Sequence, residues 1–393
     1  MREAKQVKQG EVRLNTPGTW VLVALVLLGV VVISLRLARG LGATTNLSDG
    51  VPWGLWIGFD VVAGVALAAG GFTIAAAVYI FGLERYKPVI RPAILTAFLG
   101  YSLVAVGIAL DIGRPYRIWH PIVFWQERSV MFEVAWCVIL YLGVLALEFS
   151  TSVWERLRWA RLVNFLRMII IPLVIFGVIL STLHQSSLGS LFLITPEKLS
   201  PLWYTPLLPY LFFISAVGIG LAMVILESFI SAKVFKRGLE LDVLTGLAKG
   251  AAVVWTGYLA IRFWNLIATG SLWEFTWNAQ GILFLVEVGV GMLLPVLILA
   301  IGRLRNSTGW LFAAASLLVG GAILNRLNTS LLGFPTTWQL GYFPSWMEFA
   351  VTIGLVSGAL LAFKLAVKYT AVFAPHPSEP EVPTLKRVPA VAE

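Results

Sequence analysis

Ten long apolar runs, separated by short polar or turn-forming segments, organise the chain. They cover roughly 19–38, 55–82, 92–111, 129–149, 164–185, 206–232, 245–268, 279–301, 309–331 and 348–370. Each is close to the length of about 20 residues that a helix needs to cross hydrocarbon. None has the short, strictly alternating pattern of a barrel strand. The pattern predicts an all-α, polytopic integral membrane protein of about ten transmembrane helices, with a transmembrane domain over 19–370. Residues 1–18 and 371–393 read as polar tails, the second disordered because of its Pro-rich stretch from Pro375 to Pro389. The first run is too long for the core of a signal peptide and ends without a clean cleavage signal, so it counts as a span.

The fifth and ninth runs end alike. Gly177 to Gly189 reads GVILSTLHQSSLG and Gly321 to Gly333 reads GAILNRLNTSLLG, with the two glycines and the polar end in register. Spans four apart run in the same direction. The similarity therefore predicts two parallel-repeat four-helix bundles, helices 2–5 (about 55–185) and 6–9 (about 206–331), flanked by helices 1 and 10.

Composition narrows the class. Hydrophobic residues make up 59% of the chain and charged ones 12%, about half the share of a soluble domain. A soluble enzyme is excluded. The single Cys137 can form neither an internal disulfide nor a CxxC metal site. The net charge of +9 does not gather on one element, which argues against nucleic acid as a partner. With the amino terminus placed in the cytoplasm, 21 Lys and Arg fall on the cytoplasmic side and six, Arg36 among them, on the outer side. Both termini are therefore expected in the cytoplasm. The outer loops carry Trp119, Trp125, Trp203, Tyr204, Trp273, Trp277, Trp338, Tyr342 and Trp346. They read as an interfacial belt, as a docking surface for an extracytoplasmic partner, or as both.

Ionisable residues inside spans are expensive and mark sites. The topology puts Asp60, Asp111 with Arg114, Glu133, His184 and Gln185 near one level, towards the outer side of the first bundle. His184 reads either as a structural imidazole bonded to a carbonyl or, with its polar neighbours, as a functional one. In the second bundle Glu287 lies near mid-membrane, with Arg262 and Arg326 in the outer half. Glu227 and Glu148 lie towards the inner ends of helices 6 and 4. These five read either as a charge-balanced structural set or as a proton path.

A bis-His haem needs two intramembrane imidazoles. His376 falls in the tail and His120 in an outer loop, which leaves His184 alone. No haem, iron–sulfur cluster or other metal site is expected in this chain.

Several segments carry a family likeness: GVPWGLWIGFD at 50–60, GYS and LDIGRP in helix 3, MFEVAWCVILYLGVLALEF at 131–149, TLHQSSLGSL at 182–191 and YFPSWMEF at 342–349. Together they resemble the NrfD/polysulfide reductase membrane-subunit family. They are most like its ten-helix HybB branch, which serves periplasmic nickel–iron hydrogenase. The resemblance implies a haem-free subunit of the cytoplasmic (inner) membrane, with no catalytic residues of its own. Such a subunit exchanges electrons between quinone, menaquinone or ubiquinone, and a periplasmic iron–sulfur subunit joined to a catalytic, hydrogenase-like subunit. By motif, its quinone site maps onto Asp60, Glu133 and His184. The competing reading is an ion-coupled secondary transporter, which the parallel repeat suits. That reading is weakened because the charges sit towards one surface rather than at the midplane.

Overall fold

The computed structural model describes residues 12–373. The outer parts of both tails, with His376 and the Pro-rich stretch, lie outside the described residues. Ten helices long and apolar enough to cross a membrane are present among the described residues: α1 (Pro17–Arg39), α2 (Trp56–Ile80), α3 (Glu84–Asp111), α4 (Val130–Arg156), α5 (Ala160–Ile194), α6 (Leu208–Phe235), α7 (Leu241–Ala268), α8 (Ala279–Ala300), α9 (Thr308–Leu332) and α10 (Trp346–Tyr369). These are the ten runs read from the pattern, with boundaries moved at several ends. The largest shift is in α5, which runs to Ile194 rather than stopping at 185. The serines that read as its end fold back onto the helix. Ser187 Oγ donates to Leu183 O (2.8 Å) and Ser190 Oγ to Ser186 O (3.1 Å), so these two serines continue the helix with their hydroxyls satisfied.

Each bundle closes as a ring. α2 packs on α3, α3 on α4, α4 on α5 and α5 on α2; α6 to α9 repeat the same cycle. The rings meet where α2 packs on α6, and the flanking contacts, α5 with α6 and α9 with α2, are equivalent under exchange of the bundles. Small residues permit this seam: a Cβ on Gly220 would lie 2.7 Å from Gly70 N. The repeat therefore holds at the level of helix packing. α1 and α10 pair with each other and lie against α3.

Odd-numbered loops, such as those after α1, α3 and α5, share one face with the exposed tryptophans Trp119, Trp125, Trp273, Trp277 and Trp338. We call this the aromatic face. The opposite face is the basic face. It carries the first and last described residues, Val12 and Phe373, and, at its loops and helix ends, Arg85, Arg91, Arg156, Arg158, Lys236 and Arg303.

Three helices open into π-helical turns where polar groups are held. α2 opens into π-helical turns over Trp56–Ala63 and again over Ala76–Ile80, and its hydrogen-bond ladder breaks between them. α8 is π-helical over Val286–Leu293, and α9 over Asn328–Leu332. Such turns project side chains out of register with the rest of the helix and recur at functional sites.

Candidate functional site

In the first bundle, His184 is fully buried among uncharged polar groups. Its Nδ1 shares a hydrogen bond with Tyr101 Oη from α3 (3.1 Å). The Tyr101 ring meets the Tyr141 ring of α4 edge-on at 4.6 Å and the imidazole at 5.5 Å. Gln185 Nε2 donates to Val65 O across to α2 (3.2 Å). That carbonyl is free for a local reason. At the break in α2, Ala69 N bonds to Ala66 O, one residue short of the regular partner Val65. The amide thus repairs a gap in the neighbouring helix. Four polar atoms in this cluster are buried without a partner in good hydrogen-bond geometry: His184 Nε2, Gln185 Oε1, Ser181 Oγ and Tyr141 Oη. Ser181 nevertheless lies near both tyrosine hydroxyls, and Gln185 near that of Tyr101. Native interiors leave few such atoms, and a group of them marks a place for water or a ligand.

Depth separates the expected residues. His184 lies ten residues before the end of α5, and Tyr101 ten before the end of α3, so both are about 15 Å below those ends. Asp60 is four residues into α2, about 6 Å down. The set expected at one level is split into two layers, because α5 is longer than its apolar run suggested. Asp60 is buried and accepts from Thr352 Oγ1 of α10 (2.7 Å). Gly107 of α3 lets the carboxylate in: a Cβ there would lie 3.3 Å from Asp60 Cβ. Glu133 is half-buried in the first turn of α4, which Ser129 caps.

Asp111 and Arg114 do not pair. Arg114 is exposed, and the base beside Asp111 is Arg36 of α1. Arg36, read from sequence as an outer-loop residue, is buried and donates to Leu110 O (2.8 Å) and Ile112 O (2.7 Å), which closes the carboxyl end of α3. Asp111 Oδ1 remains buried without a partner.

Glu348 is another residue whose place was not read from the sequence. Its Oε2 accepts from Tyr342 Oη (2.6 Å), and its Oε1 accepts from Asn46 N and Ser345 N (3.0 Å each). Trp56 Nε1 donates to its backbone oxygen (3.2 Å). The segments PWGLWIGFD and YFPSWMEF are thus bolted together, which sets Thr352 against Asp60. Tyr101, Tyr141, Ser181 and Thr352 were also missed as site residues. Their motif membership was a signal for the tyrosines; nothing in the sequence singled out Thr352.

The second bundle is built differently. Glu287 is fully buried and its two oxygens accept from four donors. Arg262 Nη1 and Asn325 Nδ2 (2.8 Å) bond to Oε1; Trp203 Nε1 (2.7 Å) and Asn328 Nδ2 (2.6 Å) bond to Oε2. Trp203, expected in the interfacial belt, is therefore interior. Arg326 bonds to Phe212 O (3.0 Å), Ser215 Oγ (2.9 Å) and Asn325 Oδ1 (3.2 Å), with its guanidinium 3.7 Å from the Phe212 ring centre.

Towards the basic face, Glu148 lines a cavity of about 180 Å³ with Tyr79, Arg91, Ser152, Glu155 and Arg167. There Glu155 is held by Arg91 (2.8 Å) and Arg167 (2.9 Å), while Glu148 is in no ion pair among the described residues. Glu227, at the seam between bundles, has both carboxylate oxygens buried without a partner.

Among the described residues no group of three or more His, Cys, Asp or Glu could hold a metal ion. His120, in the loop after α3, meets the Trp119 and Phe124 rings edge-on at 4.4 and 5.1 Å.

With this architecture the chain belongs to the NrfD family: residues 43–329 match the family described as Polysulphide reductase, NrfD. It is a multi-pass membrane subunit of the kind found in respiratory, quinone-reacting oxidoreductase complexes. It is 33% identical to the "Probable Ni/Fe-hydrogenase 2 b-type cytochrome subunit" of Escherichia coli, over 89% of this chain and 91% of the relative. It is 29% identical to the "Menaquinone reductase, integral membrane subunit" of Nitratidesulfovibrio vulgaris, over 88% of each. A third relative, 23% identical over 83% of this chain and 86% of its own length, is the "Hdr-like menaquinol oxidoreductase integral membrane subunit" of Archaeoglobus fulgidus.

Proposed function

We propose that this chain binds quinone in its first bundle, towards the aromatic face, and exchanges electrons with an extracytoplasmic iron–sulfur subunit seated on that face. In this reading it is the inner-membrane subunit of a hydrogenase-like complex, with both termini in the cytoplasm. The observation that carries the reading is the cluster of unmet polar atoms around His184. A quinone needs an apolar slot and a few convergent polar groups, and its reduction takes two electrons and two protons. His184 Nε2 supplies a hydrogen bond and a proton-exchange point at one quinone oxygen, with Tyr101 fixing the ring through Nδ1. Asp60, in the shallower layer, serves the other oxygen, with Glu133, Asp111 and Arg114 at the rim. Electrons arrive from or leave to the iron–sulfur partner; this chain supplies binding, orientation and protons.

The printed names of the menaquinone relatives support the substrate class. The likeness to the hydrogenase subunit supports the partner. Exposed Trp119, Trp125, Trp273 and Trp277 suit a docking surface. Proton movement is assigned to the first bundle. Of the candidate path residues, Glu287 has its oxygens saturated by Arg262, Asn325, Trp203 and Asn328, and Arg326 is held in place, so these form a poor relay. Glu148 faces a cavity and lies seven residues, two turns, from Tyr141 on the same side of α4, and Glu227 also keeps free oxygens.

The test is quinone-analogue reduction by the assembled complex, purified from native membranes. His184→Gln and Asp60→Asn are expected to lower turnover while the iron–sulfur subunit still co-purifies. Assembled variants with wild-type turnover contradict the assignment. A lone chain that moves an ion or solute in liposomes favours the transporter reading instead.

A further inference from the structure

The buried charges of the second bundle do not balance. Arg262 and Arg326 are each buried, and guanidinium groups keep their proton. One carboxylate, Glu287, answers them. The remaining buried acid on these helices, Glu227, is twelve residues from Ser215 along α6, about 18 Å away. Glu274, which follows α7, is exposed. The bundle therefore holds a surplus positive charge in a low-dielectric interior, where an unpaired charge is strongly disfavoured.

The surplus has a direction. Arg262 Nη1 is taken by Glu287 and Tyr258 Oη (3.1 Å), while Nη2 is buried without a partner. Arg262 borders a cavity of about 20 Å³, whose polar lining includes Thr205, Tyr258, Asn265 and Asn325. That volume takes one water or one monatomic ion, since a single water needs about 10–15 Å³. A quinone ring does not fit in that volume. The lining residues carry donors: Arg262, whose Nη2 is without a partner, the Asn265 amide and the Thr205 hydroxyl.

We propose that this cavity binds one monatomic anion, chloride being the one abundant in water, which neutralises the second bundle. The site is independent of the quinone assignment. Arg326 does not line the cavity, but Asn325 links it to Glu287, so the anion at Arg262 neutralises the network of two arginines and one glutamate as a whole.

The experiment is thermal unfolding of the full-length protein in lipid nanodiscs, with sodium gluconate exchanged for sodium chloride at constant ionic strength. Chloride and bromide are expected to raise the midpoint saturably by about 2–4 °C, and sulfate is expected to have no effect. Asn265→Leu, which alters the cavity wall but leaves the Glu287–Arg262 pair, is expected to abolish the rise. Identical midpoints in chloride and gluconate overturn the proposal, as does a rise that persists undiminished in the variant. If the variant does not fold, bromide anomalous scattering from wild-type crystals decides. A signal between Arg262 and Asn265 supports the site; no signal there overturns it.

Discussion

The two bundles repeat the same four-helix ring and differ at the same positions. Ser181 and His184 of α5 align with Asn325 and Asn328 of α9. In the second bundle those amides donate to Glu287, and every carboxylate position is filled. In the first bundle the facing helix offers Tyr141 instead of a carboxylate, and Ser181 Oγ and His184 Nε2 are left unmet. One copy has become a charged network built round a fully engaged carboxylate, with Arg262 Nη2, Arg326 Nε and Asn328 Oδ1 left over; the other is uncharged and leaves its hydroxyls, imidazole and amide oxygen unmet. A buried ion pair stabilises mainly by penalising its own disruption, whereas unmet donors and acceptors are available to a ligand. On the proposed function, the difference makes the bundle richer in charge the scaffold and the bundle poorer in charge the quinone site.

This contrast can be broken by substitution, starting with the largest effect. Glu287→Ala strands Arg262 in the membrane interior and is expected to cost about 3–5 kcal/mol, read as a lowered unfolding midpoint in nanodiscs. Glu287→Gln combined with Arg262→Gln should recover much of that loss. His184→Gln in the assembled complex is expected to cut quinone reduction about 100-fold or more while leaving the midpoint close to wild type. If turnover follows stability in both variants, the two bundles do not differ in role.

Smaller changes sharpen the comparison at repeat-equivalent glycines. Gly321→Ala forces a Cβ to within 2.4 Å of the Gly291 backbone, where nothing can yield. Gly177→Ala meets the side chains of Val144 and Tyr141 at 3.1–3.3 Å. The first is expected to cost about 1–3 kcal/mol and the second less, measured by denaturation midpoints. The smallest effect belongs to Gln185→Leu, which leaves Val65 O without its donor. A loss of about 1 kcal/mol is expected, with faster amide exchange confined to the α2 break.

Much of the architecture was legible in the sequence, because hydrocarbon thickness forces long apolar runs and charge bias orders the loops. The repeat was visible because helix packing constrains glycines. The site was less legible, for two physical reasons. Serines can stay helical by bonding to the preceding turn, so α5 extends beyond its apolar run and His184 is deeper than Asp60. Partnering is a tertiary property as well. Nothing local shows that Arg36, rather than Arg114, approaches Asp111, that Trp203 turns inward to Glu287, or that Thr352 reaches Asp60 from a helix at the other end of the chain. A search for charged letters found Glu287 and Arg262, which the fold pairs off, together with Asp60 and Glu133, which are in no ion pair among the described residues. The cluster's other members, Tyr101, Tyr141 and Ser181, carry no charge to find.

The most direct test of the account is where quinone touches the protein. Photo-crosslinking of the assembled complex with an azido-quinone, followed by peptide mapping, should place the label on α3 and α5 around Tyr101 and Ser181–Gln185, and free quinone should compete it away. A competable label on α7 or α9, around Arg262 or Asn325, would contradict the assignment of quinone chemistry to the first bundle.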